Sequence, residues 1–573
     1  MTNQEIADYF RQLAEIMTLQ GENVFKVRAY RRAAEVIAGY PRSIADLREE
    51  GDLTEIEGIG SAISAKIGEI LDTGRLSLLD RLEAEIPAGV ATLMRVPEIG
   101  PKSALAIYET LGIDSLDGLL AAAQDGRLER VKGIGPSTAR RILAGVEALQ
   151  RRSDRLLLGD VLPRAEALLA VLVETLGEWL LRHSLAGSLR RGLPLVGDIN
   201  LLVAAPPARM SGVLESFSTL PQVAGVLAQE ADSTAVRLHS GERATLRVVD
   251  PADWGTALIL ATGSAAHTHR LHDLAAARGA SVSGEGLLDA GGRRLAFAEE
   301  AALYDFLGLA WIPPMLREHE SEIAAARAGE LPALLPLDAL RGDLHMHSTW
   351  SDGKASILEM GQAARARGYE YIAITDHSHG LAMVGGLSPE RLIEQRYEII
   401  NANAKLGDFR ILQGAEVEIR TDGSLDYPDD VLAQLDIVVA SMHTGIRGSR
   451  ETNTQRLLGA IHNPHVHVIG HLTNRLLGRR EGAELDMAAI LQAAAETGTI
   501  LEINANPWRL DLDAHHARTA LEMGCLLAIN SDAHSPGGLD VMRYGVLQAQ
   551  RAWAEAEDVI NTRSLDELLG YLG

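Results

Sequence analysis

The chain has 573 residues, a formal net charge of −24 and a single cysteine, Cys525. Its length exceeds the ~100–200 residues of a typical domain, so several domains are expected, and one cysteine excludes an internal disulfide framework. No apolar run reaches the ~18 residues of a membrane span, and the N-terminus does not resemble a signal peptide, so a cytoplasmic protein without a membrane partner is expected. The acidic composition argues against a simple basic nucleic-acid-binding module, so any DNA contact must come from local geometry or bound cations.

Residues 1–155 carry apolar side chains at spacings of three and four, the pattern of amphipathic helices. One motif occurs three times in this region, in Leu53–Ser61, Leu93–Lys102 and Leu128–Ser137. Each copy places glycine in a tight turn that opens a helix, where free backbone N–H groups suit a phosphate. A single copy would be an ordinary connection between helices, whereas three copies, two with Pro at the helix start, favour phosphate binding.

The three turns resemble helix-hairpin-helix motifs, which hold the DNA backbone without reading its sequence. The resemblance implies that DNA is contacted by Gly58, Gly60, Gly100, Lys102, Gly133 and Gly135. In the second copy Glu98 occupies the place of the first glycine, and a carboxylate beside a phosphate should weaken that site.

The segment Phe25–Arg32 and the first hairpin resemble the N-terminal domain of family X DNA polymerases. This resemblance implies a small helical domain of the 8-kDa type over residues 1–80 and helix-hairpin-helix fingers over 81–155. In relatives with deoxyribose-phosphate lyase activity, a lysine six residues beyond the hairpin forms a Schiff base, and Lys66 occupies that position. A lysine on a helix is more often solvated or bound to a phosphate, so Lys66 is a lyase candidate only.

Short strand-like segments replace the helical pattern after residue 156, at Ala186–Gly192, Val196–Val203 and Ala244–Val249. Together with Thr262-Gly263-Ser264 they resemble the nucleotidyltransferase palm of family X polymerases. The resemblance implies a palm over residues 156–260 and a helical thumb over 261–318, followed by a linker over 319–340.

The palm lacks part of the carboxylate set that two-metal phosphoryl transfer requires. Relatives supply three carboxylates, and here the three positions hold Asp198, Asn200 and Thr245. Glu242 and Asp250 lie at odd offsets from Thr245 and should point to the opposite face of a regular strand. Asp198 is therefore the one catalytic candidate of the palm, which would hold Mg²⁺ or Mn²⁺ weakly, and we expect weak or absent polymerase activity.

The nucleotide pocket is only partly retained. The aromatic pair that often precedes Thr-Gly-Ser is replaced by Leu260-Ala261, and Thr268 stands where a base-contacting Asn is expected. The resemblance still implies that a dNTP would be bound by Gly187, Ser188, Arg191, Gly263 and Ser264.

The last 230 or so residues alternate apolar strand-like runs with helical periods, which predicts an α/β barrel over residues 341–573. Potential metal ligands follow several of these runs, where barrel active sites form. They are His345, His347, Asp352, His377, Glu416, His443, His471, Asp532 and His534. Nitrogen and carboxylate ligands together favour Zn²⁺, Mn²⁺ or Fe²⁺ over Mg²⁺ and Ca²⁺, and nine ligands suit two or three ions.

These nine positions match the metal site of the PHP (polymerase and histidinol phosphatase) domain, and Glu502–Asp511 is also similar to that family. The remaining histidines match no ligand position, and we expect them at the surface or supporting the site; they include His379, His462, His465, His467, His515 and His516. Asp376 adjoins a ligand and is expected to support it.

The resemblance as a whole is to a bacterial family X DNA polymerase with a C-terminal PHP domain, a mixed α+β and α/β architecture. It implies a monomeric, nucleoid-associated repair enzyme that binds gapped, nicked or 3′-end DNA and hydrolyses it as a 3′→5′ exonuclease, with Mn²⁺ or Zn²⁺. Two alternatives stay open: an Mn²⁺-dependent gap-filling polymerase, and a non-catalytic scaffold that binds DNA ends.

Overall fold

The computed structural model describes residues 1–40, 42–51, 53–94, 96, 98–151, 155–283, 286–318 and 321–573. Two compact units make up the described chain. The first comprises Met1–Arg155, Pro163–Ala186 and Gly197–Trp254, and the second comprises Leu156–Leu162, Gly187–Val196 and Gly255–Gly573. Among the described residues, no helix is both long and apolar enough to cross a lipid bilayer.

The described residues up to 151 form a helical array, as the periodicity of this region predicted. Its helices are α1 Asn3–Leu19, α2 Val24–Gly39, α3 Ile44–Glu50, α4 Ser61–Thr73, α5 Ser77–Glu83, α6 Ala88–Leu93, α7 Pro101–Leu111, α8 Leu116–Gln124 and α9 Pro136–Arg151. One apolar core joins them, with Phe10, Ile37 and Ile142 fully buried. Helix α1 starts with a capping box in which Thr2 and Glu5 satisfy each other's backbone N–H groups.

Strands and helices mix over residues 156–306. The elements are β1 Leu156–Leu157, α10 Leu158–Leu176, β2 Arg182–Leu185, α11 Gly187–Arg190, β3 Leu195–Val196, β4 Ile199–Ala204, α12 Met210–Ser218, β5 Val223–Gln229, β6 Ser233–Leu238, β7 Arg243–Val249, α13 Trp254–Thr262, α14 Ala265–Ala277, β8 Ser281–Ser283, β9 Gly286–Leu288, β10 Arg294–Leu295 and α15 Glu300–Phe306. The order β2-β4-β7-β6-β5 forms a five-stranded sheet in which only β4 and β7 are parallel. The segment after Ala186 is a helical turn and not a strand, and the thumb contains the small sheet β8–β10 in addition to the predicted helices.

The second unit buries a charged network beside its apolar core. The Glu300 carboxylate accepts hydrogen bonds from Arg190 (2.7 and 2.9 Å) and from Arg317 (2.9 Å). Burial alone would raise the pKa of Glu300, but the bonds from Arg190 and Arg317 lower it to about 2. The carboxylate is therefore ionised at neutral pH and ties α11 to the thumb.

The C-terminal region is an almost closed parallel barrel, as the alternating pattern predicted. Its elements are α16 Ser321–Ala328, β11 Gly342–Asp343, α17 Ile357–Ala366, β12 Tyr371–Ile374, α18 Pro389–Leu406, β13 Arg410–Glu418, α19 Asp429–Leu432, β14 Ile437–Ser441, α20 Arg450–Ile461, β15 Val468–Ile469, α21 Met487–Thr497, β16 Ile500–Asn504, α22 Ala514–Glu522, β17 Leu527–Asn530, α23 Met542–Arg551 and α24 Leu565–Leu572. The seven strands are ordered β11 to β17 in sequence, and β12 and β14 are buried along their whole length, as expected of a parallel sheet covered by helices. Part of the predicted linker, residues 319–340, forms helix α16. Residues 319 and 320 of this linker lie outside the described residues.

Candidate metal centre

The barrel closes through two segments that carry candidate ligands. The His347 N–H donates to the Ala533 carbonyl (2.8 Å), and the Asp532 N–H donates to the His345 carbonyl (2.9 Å). These bonds pair the residues just after β11 with those just after β17, beyond the last paired residues of the strands. The ligands of the first and last strands are therefore brought side by side at the carboxyl end of the barrel.

Eight of the nine predicted ligands fall into three overlapping groups. Within each group, the potential ligand atoms all lie within 4.8 Å of one another. The groups are His347, Asp352, His377 and His534; His345, His347 and Asp532; and His377, Glu416 and His443. The ninth, His471, joins them through Glu416, with 2.9 Å between His471 Nε2 and Glu416 Oε1. The structure thus brings together all nine residues.

Glu416 lies at the centre of this cluster. Its Oε1 is 3.2 Å from His443 Nε2 as well as close to His471. Its Oε2 lies 2.8 Å from His377 Nδ1 and 3.5 Å from His345 Nε2. Glu416 is 1 % exposed. One buried carboxylate therefore faces the imidazole rings of these four histidines.

The buried polar atoms of the cluster fit a metal site. Within the described chain, His345 Nε2, His347 Nε2, His377 Nδ1 and Glu416 Oε2 make no aligned hydrogen bond, although His377 and Glu416 approach to 2.8 Å. Buried polar groups without a partner are costly, and nitrogen and oxygen atoms that converge without aligned hydrogen bonds are the arrangement expected of ligands around cations. The donor set of imidazole and carboxylate suits Zn²⁺, Mn²⁺ or Fe²⁺.

Electrostatics favour ionised carboxylates in this cluster. Burial alone would raise the pKa of Glu416, but the neighbouring histidines, His443 first, bring it well below its usual value. Burial alone would also raise the pKa of Asp532, but the His347 ring, whose Nε2 lies 3.2 Å from Asp532 Oδ1, and the charges of His345 and Arg509 bring it well below its usual value. Burial, with the charge of His377, lowers the pKa of His347 to about 3, so its ring is neutral and available as a ligand.

Three hydrogen bonds set which ring nitrogen faces the cluster. His345 Nδ1 is bound to Glu502 Oε1 (2.7 Å), His443 Nδ1 to Glu418 Oε2 (2.8 Å), and His534 Nδ1 to the Asp532 carbonyl (2.9 Å). When Nδ1 donates, Nε2 is left as the lone-pair atom that faces the cluster. These partners hold the rings in position for metal binding.

Glu418 was not singled out from the sequence. Besides His443, its carboxylate accepts from the backbone N–H and the hydroxyl of Thr444 (3.0 and 2.6 Å). Glu418 lies two residues after Glu416 on β13, and on a strand such residues share a face. That spacing was the available signal. Asp376 does support the site, since it accepts from Ser348 and Ser351 beside Asp352.

Arginines border the cluster. Arg509 Nε lies 3.6 Å from Asp532 Oδ2, and Arg509 Nη1 donates to Asn474 Oδ1 (2.6 Å). Arg480 donates to the same Asn474 oxygen (2.7 Å). His471, Asn474 and Asp532 all have positive φ (23°, 52° and 54°), a strained backbone of the kind found at functional sites. Arg509 beside Asp532, with Arg480 on the same amide oxygen as Arg509, suits a phosphodiester.

The histidines excluded by their sequence position stay outside the three groups found among the described residues. His467 is structural: its Nδ1 accepts from the Val438 N–H, and its Nε2 faces the Leu572 carbonyl (3.1 Å). His516 pairs with Asp513 (2.7 Å), and His379 lies 3.3 Å from Asp426.

Asp198, Asn200 and Thr245, the three positions where relatives carry palm carboxylates, lie together in the first unit. Asn200 and Thr245 are directly paired on the parallel strands β4 and β7, and Asn200 Nδ2 donates to Asp198 Oδ1 (2.9 Å). Glu242 is engaged by Arg164 and Ser240, and Asp250 caps the turn at Ala252. Neither acid is therefore free to replace the missing carboxylates.

The proposed nucleotide residues Gly187, Ser188, Arg191, Gly263 and Ser264 lie in the second unit. Arg191 Nη1 donates to the Thr262 carbonyl, which brings α11 to the start of α14. Ser264 caps α14, and its hydroxyl accepts from the His267 N–H (3.3 Å).

The three hairpin turns share one geometry. Gly58, Glu98 and Gly133 all adopt positive φ (98°, 77° and 94°), and each precedes a helix, which is α4, α7 or α9. Gly60 and Gly100 are the N-cap residues of α4 and α7. Glu98 is held by Arg141 of the third hairpin (3.4 Å). The fold thus imposes on Glu98 a conformation that glycine adopts more readily.

The remaining DNA-binding and lyase candidates lie on hairpin helices. Lys102 is exposed in the first turn of α7, and Gly135 immediately precedes α9. Lys66 is half-buried on α4, with its Nζ 5.8 Å from the centre of the Tyr30 ring and 3.4 Å from the Ala62 carbonyl.

Several parts of the chain match known protein families. Residues 1–76 match a helix-hairpin-helix domain, 90–148 a SAM-like helix-hairpin-helix tandem, 257–318 a DNA polymerase beta thumb and 343–506 a PHP domain.

The chain is 36 % identical over 578 residues to the DNA polymerase/3'-5' exonuclease PolX of Bacillus subtilis (strain 168), covering 100 % of this chain and 99 % of that protein. It is 30 % identical over 246 residues to a probable phosphatase of Thermoanaerobacter sp. (strain X514), covering 40 % of this chain and 93 % of the relative. A probable phosphatase of Caldanaerobacter subterraneus is 33 % identical over 245 residues, covering 40 % of this chain and 90 % of that relative.

Proposed function

The chain belongs to the family X DNA polymerases that carry a C-terminal PHP domain, and from this membership we propose that it is a DNA-repair enzyme. Its barrel hydrolyses the 3′ terminus of gapped, nicked or recessed DNA as a 3′→5′ exonuclease. Its palm has weak or no polymerase activity. DNA is its principal partner, a dNTP is a further ligand, and the enzyme acts as a nucleoid-associated monomer.

The observation that carries the proposal is the Glu416-centred cluster at the barrel mouth, in a chain that also presents three hairpin turns. A small-molecule phosphatase could use the same cluster. It would have no use for backbone N–H groups arranged at three helix starts to receive phosphates. The hairpins therefore favour DNA as the substrate.

The nine clustered side chains would hold two or three Mn²⁺ or Zn²⁺ ions, and some coordination positions would remain for substrate. When bound, such ions polarise the phosphoryl group as Lewis acids and lower the pKa of a bound water molecule to a value near neutrality. Glu502 and Glu418 orient the imidazoles of His345 and His443. Arg509 and Arg480 would bind the non-bridging oxygens of the scissile phosphodiester and hold it against the cluster.

The proposed loss of polymerase activity is supported by the palm geometry. Of the three family positions, only Asp198 keeps a carboxylate, and that carboxylate already accepts a hydrogen bond from Asn200. One carboxylate supplies too little charge to hold two divalent ions against a triphosphate. Lyase activity at Lys66 is a separate proposal. The Lys66 ammonium group lies near the Tyr30 ring, and this position suits a phosphate contact equally well.

A second candidate function is Mn²⁺-dependent gap filling, which the name of the B. subtilis relative favours. One experiment separates the two. The purified full chain is incubated with 5′-labelled 3′-recessed and gapped duplexes in Mn²⁺, with and without dNTPs. We expect shortened products in both conditions; lengthened products that disappear in Asp198→Ala would favour the polymerase.

A further inference from the structure

Two arginines from distant parts of the second unit converge on one carboxylate. Arg191 Nε donates to Glu318 Oε1 over 2.6 Å, and Arg551 Nη1 donates to the same oxygen over 3.3 Å. The three side chains are largely buried, with exposed fractions of 12 %, 18 % and 14 % for Arg191, Glu318 and Arg551. Such a contact is far less screened by solvent than a surface ion pair.

The cluster has the character of an anion site filled by a protein side chain. Its three groups sum to one positive charge, and burial lowers the pKa of Arg551 despite the nearby Glu318. Arg191 also lies at the N-terminus of the 13-residue helix α14, where its Nη1 is 3.0 Å from the position a Cβ on Gly263 would take. A cation beside the positive end of a helix favours an anionic ligand.

We propose that Glu318 competes with a nucleotide triphosphate for Arg191, and that Arg551 holds Glu318 when the triphosphate displaces it. The proposal rests on the nucleotide site proposed above and adds to it an internal competitor. Arg191 uses Nε for Glu318 and Nη1 for the Thr262 carbonyl, so side-on bidentate binding of a phosphate through Nε and Nη2 requires release of Glu318.

Arg551 is the last residue of helix α23, which packs against the barrel, and this position suits it to hold the Glu318 carboxylate. A Cβ on Gly545 of α23 would lie 2.5 Å from Ile529 and 2.7 Å from Ala505, so the helix sits tightly against β16 and β17. The opposite side of α23 approaches the Arg191 segment, where a Cβ on Gly192 would lie 3.3 Å from Leu547. Glu318 can thus exchange partners without leaving a charge unpaired.

The test is the affinity of the full-length protein for a non-hydrolysable dATP analogue, and for inorganic tripolyphosphate, at one fixed Mg²⁺ concentration. Glu318→Gln should bind both probes more tightly, by roughly threefold or more. Arg551→Met should bind them more weakly, because Glu318 then has Arg191 alone. Arg551 Nη1 also donates to the Arg191 carbonyl over 3.2 Å. The double variant should nevertheless behave as Glu318→Gln, since without the carboxylate there is no competing charge for Arg551 to hold.

Thermal unfolding checks that each variant is folded, and Glu330→Gln, at an exposed acid of the same unit, is the matched control. If Glu318→Gln fails to fold, Glu318→Asp replaces it, and the shorter side chain should also tighten binding. Unchanged or weaker binding by the Glu318 variant overturns the competition, and a double variant weaker than Glu318→Gln overturns the holding role. Arg191→Met with full affinity would instead refute the nucleotide site itself.

Discussion

Glu418 Oε2 accepts a hydrogen bond from His443 Nδ1 over 2.8 Å, and Nε2 of the same ring lies 3.2 Å from Glu416 Oε1. The ring is therefore held between a supporting carboxylate and the carboxylate at the centre of the cluster. Removal of such a supporting group typically costs 10- to 100-fold in metal affinity.

Glu418→Ala should accordingly lower the affinity of the protein for Mn²⁺ by roughly 10- to 100-fold, measured by calorimetric titration of the metal-free chain. Glu418→Gln should recover most of this loss, because the amide oxygen still accepts from His443 Nδ1. Glu451→Ala, at an exposed acid of α20, is the control. Equal affinity in Glu418→Ala and wild type would refute the positioning role.

Restoring the missing carboxylates of the palm should increase polymerase activity. Asn200 and Thr245 are paired across β4 and β7, so Asn200→Asp with Thr245→Asp would place two carboxylates beside Asp198. We expect the double variant to extend a primer at least ~10-fold faster than wild type in Mg²⁺, since two divalent ions can then be held. Asp198→Ala in that background should remove the gain. No gain in the restored palm would show that another feature limits polymerisation.

DNA binding through the hairpins can be tested at glycines whose surroundings are open. No described atom lies within 4 Å of a Cβ built on Gly60 or Gly135, and neither has positive φ, so valine should be tolerated by the fold. The valine side chains would block the approach of a phosphate to the helix starts. Gly60→Val with Gly135→Val should weaken duplex binding at least ~10-fold while hydrolysis of a small phosphoester is unchanged.

Gly51→Val is the matched control for this pair, because Gly51 is exposed, has an extended backbone and also has open surroundings. DNA affinity equal to wild type in the double hairpin variant would exclude these turns as the phosphate contacts.

Stability should depend on pH through Glu300. Its pKa is about 2 in the folded protein against an ordinary value of 4.5, so its contribution is fully present above pH 4.5 and is lost as the pH falls towards 2. The contribution is at most about 3 kcal/mol. The free energy of unfolding, followed by urea titration between pH 5 and 2.5, should fall more steeply in wild type than in Glu300→Gln. Parallel pH dependences would contradict the network.

The sequence predicted the barrel, and it predicted that the candidate ligands would lie at one end of it, for physical reasons. Candidate ligands such as His377, Asp532 and His534 follow buried parallel strands, and parallel strands end at one edge of a sheet. Direct pairing of the segments around His345 and Asp532, which closes the barrel, is a long-range contact that no local pattern encodes.

Other features needed the three-dimensional structure. The helical turn at Gly187–Arg190 was predicted as strand, because four residues show too little periodicity to separate the two. The thumb strands β8–β10 are two or three residues long and were missed for the same reason. The partners of Glu318 lie 127 and 233 positions away in sequence, so its role could not be read locally.

The most direct test of the account is the rate at which a 5′-labelled, 3′-recessed duplex is shortened in Mn²⁺ by wild type, Asp532→Ala and Asp198→Ala. If hydrolysis takes place at the barrel cluster, Asp532→Ala should lose the activity and Asp198→Ala should keep it. Full shortening by folded Asp532→Ala, or its loss in Asp198→Ala, would contradict the account.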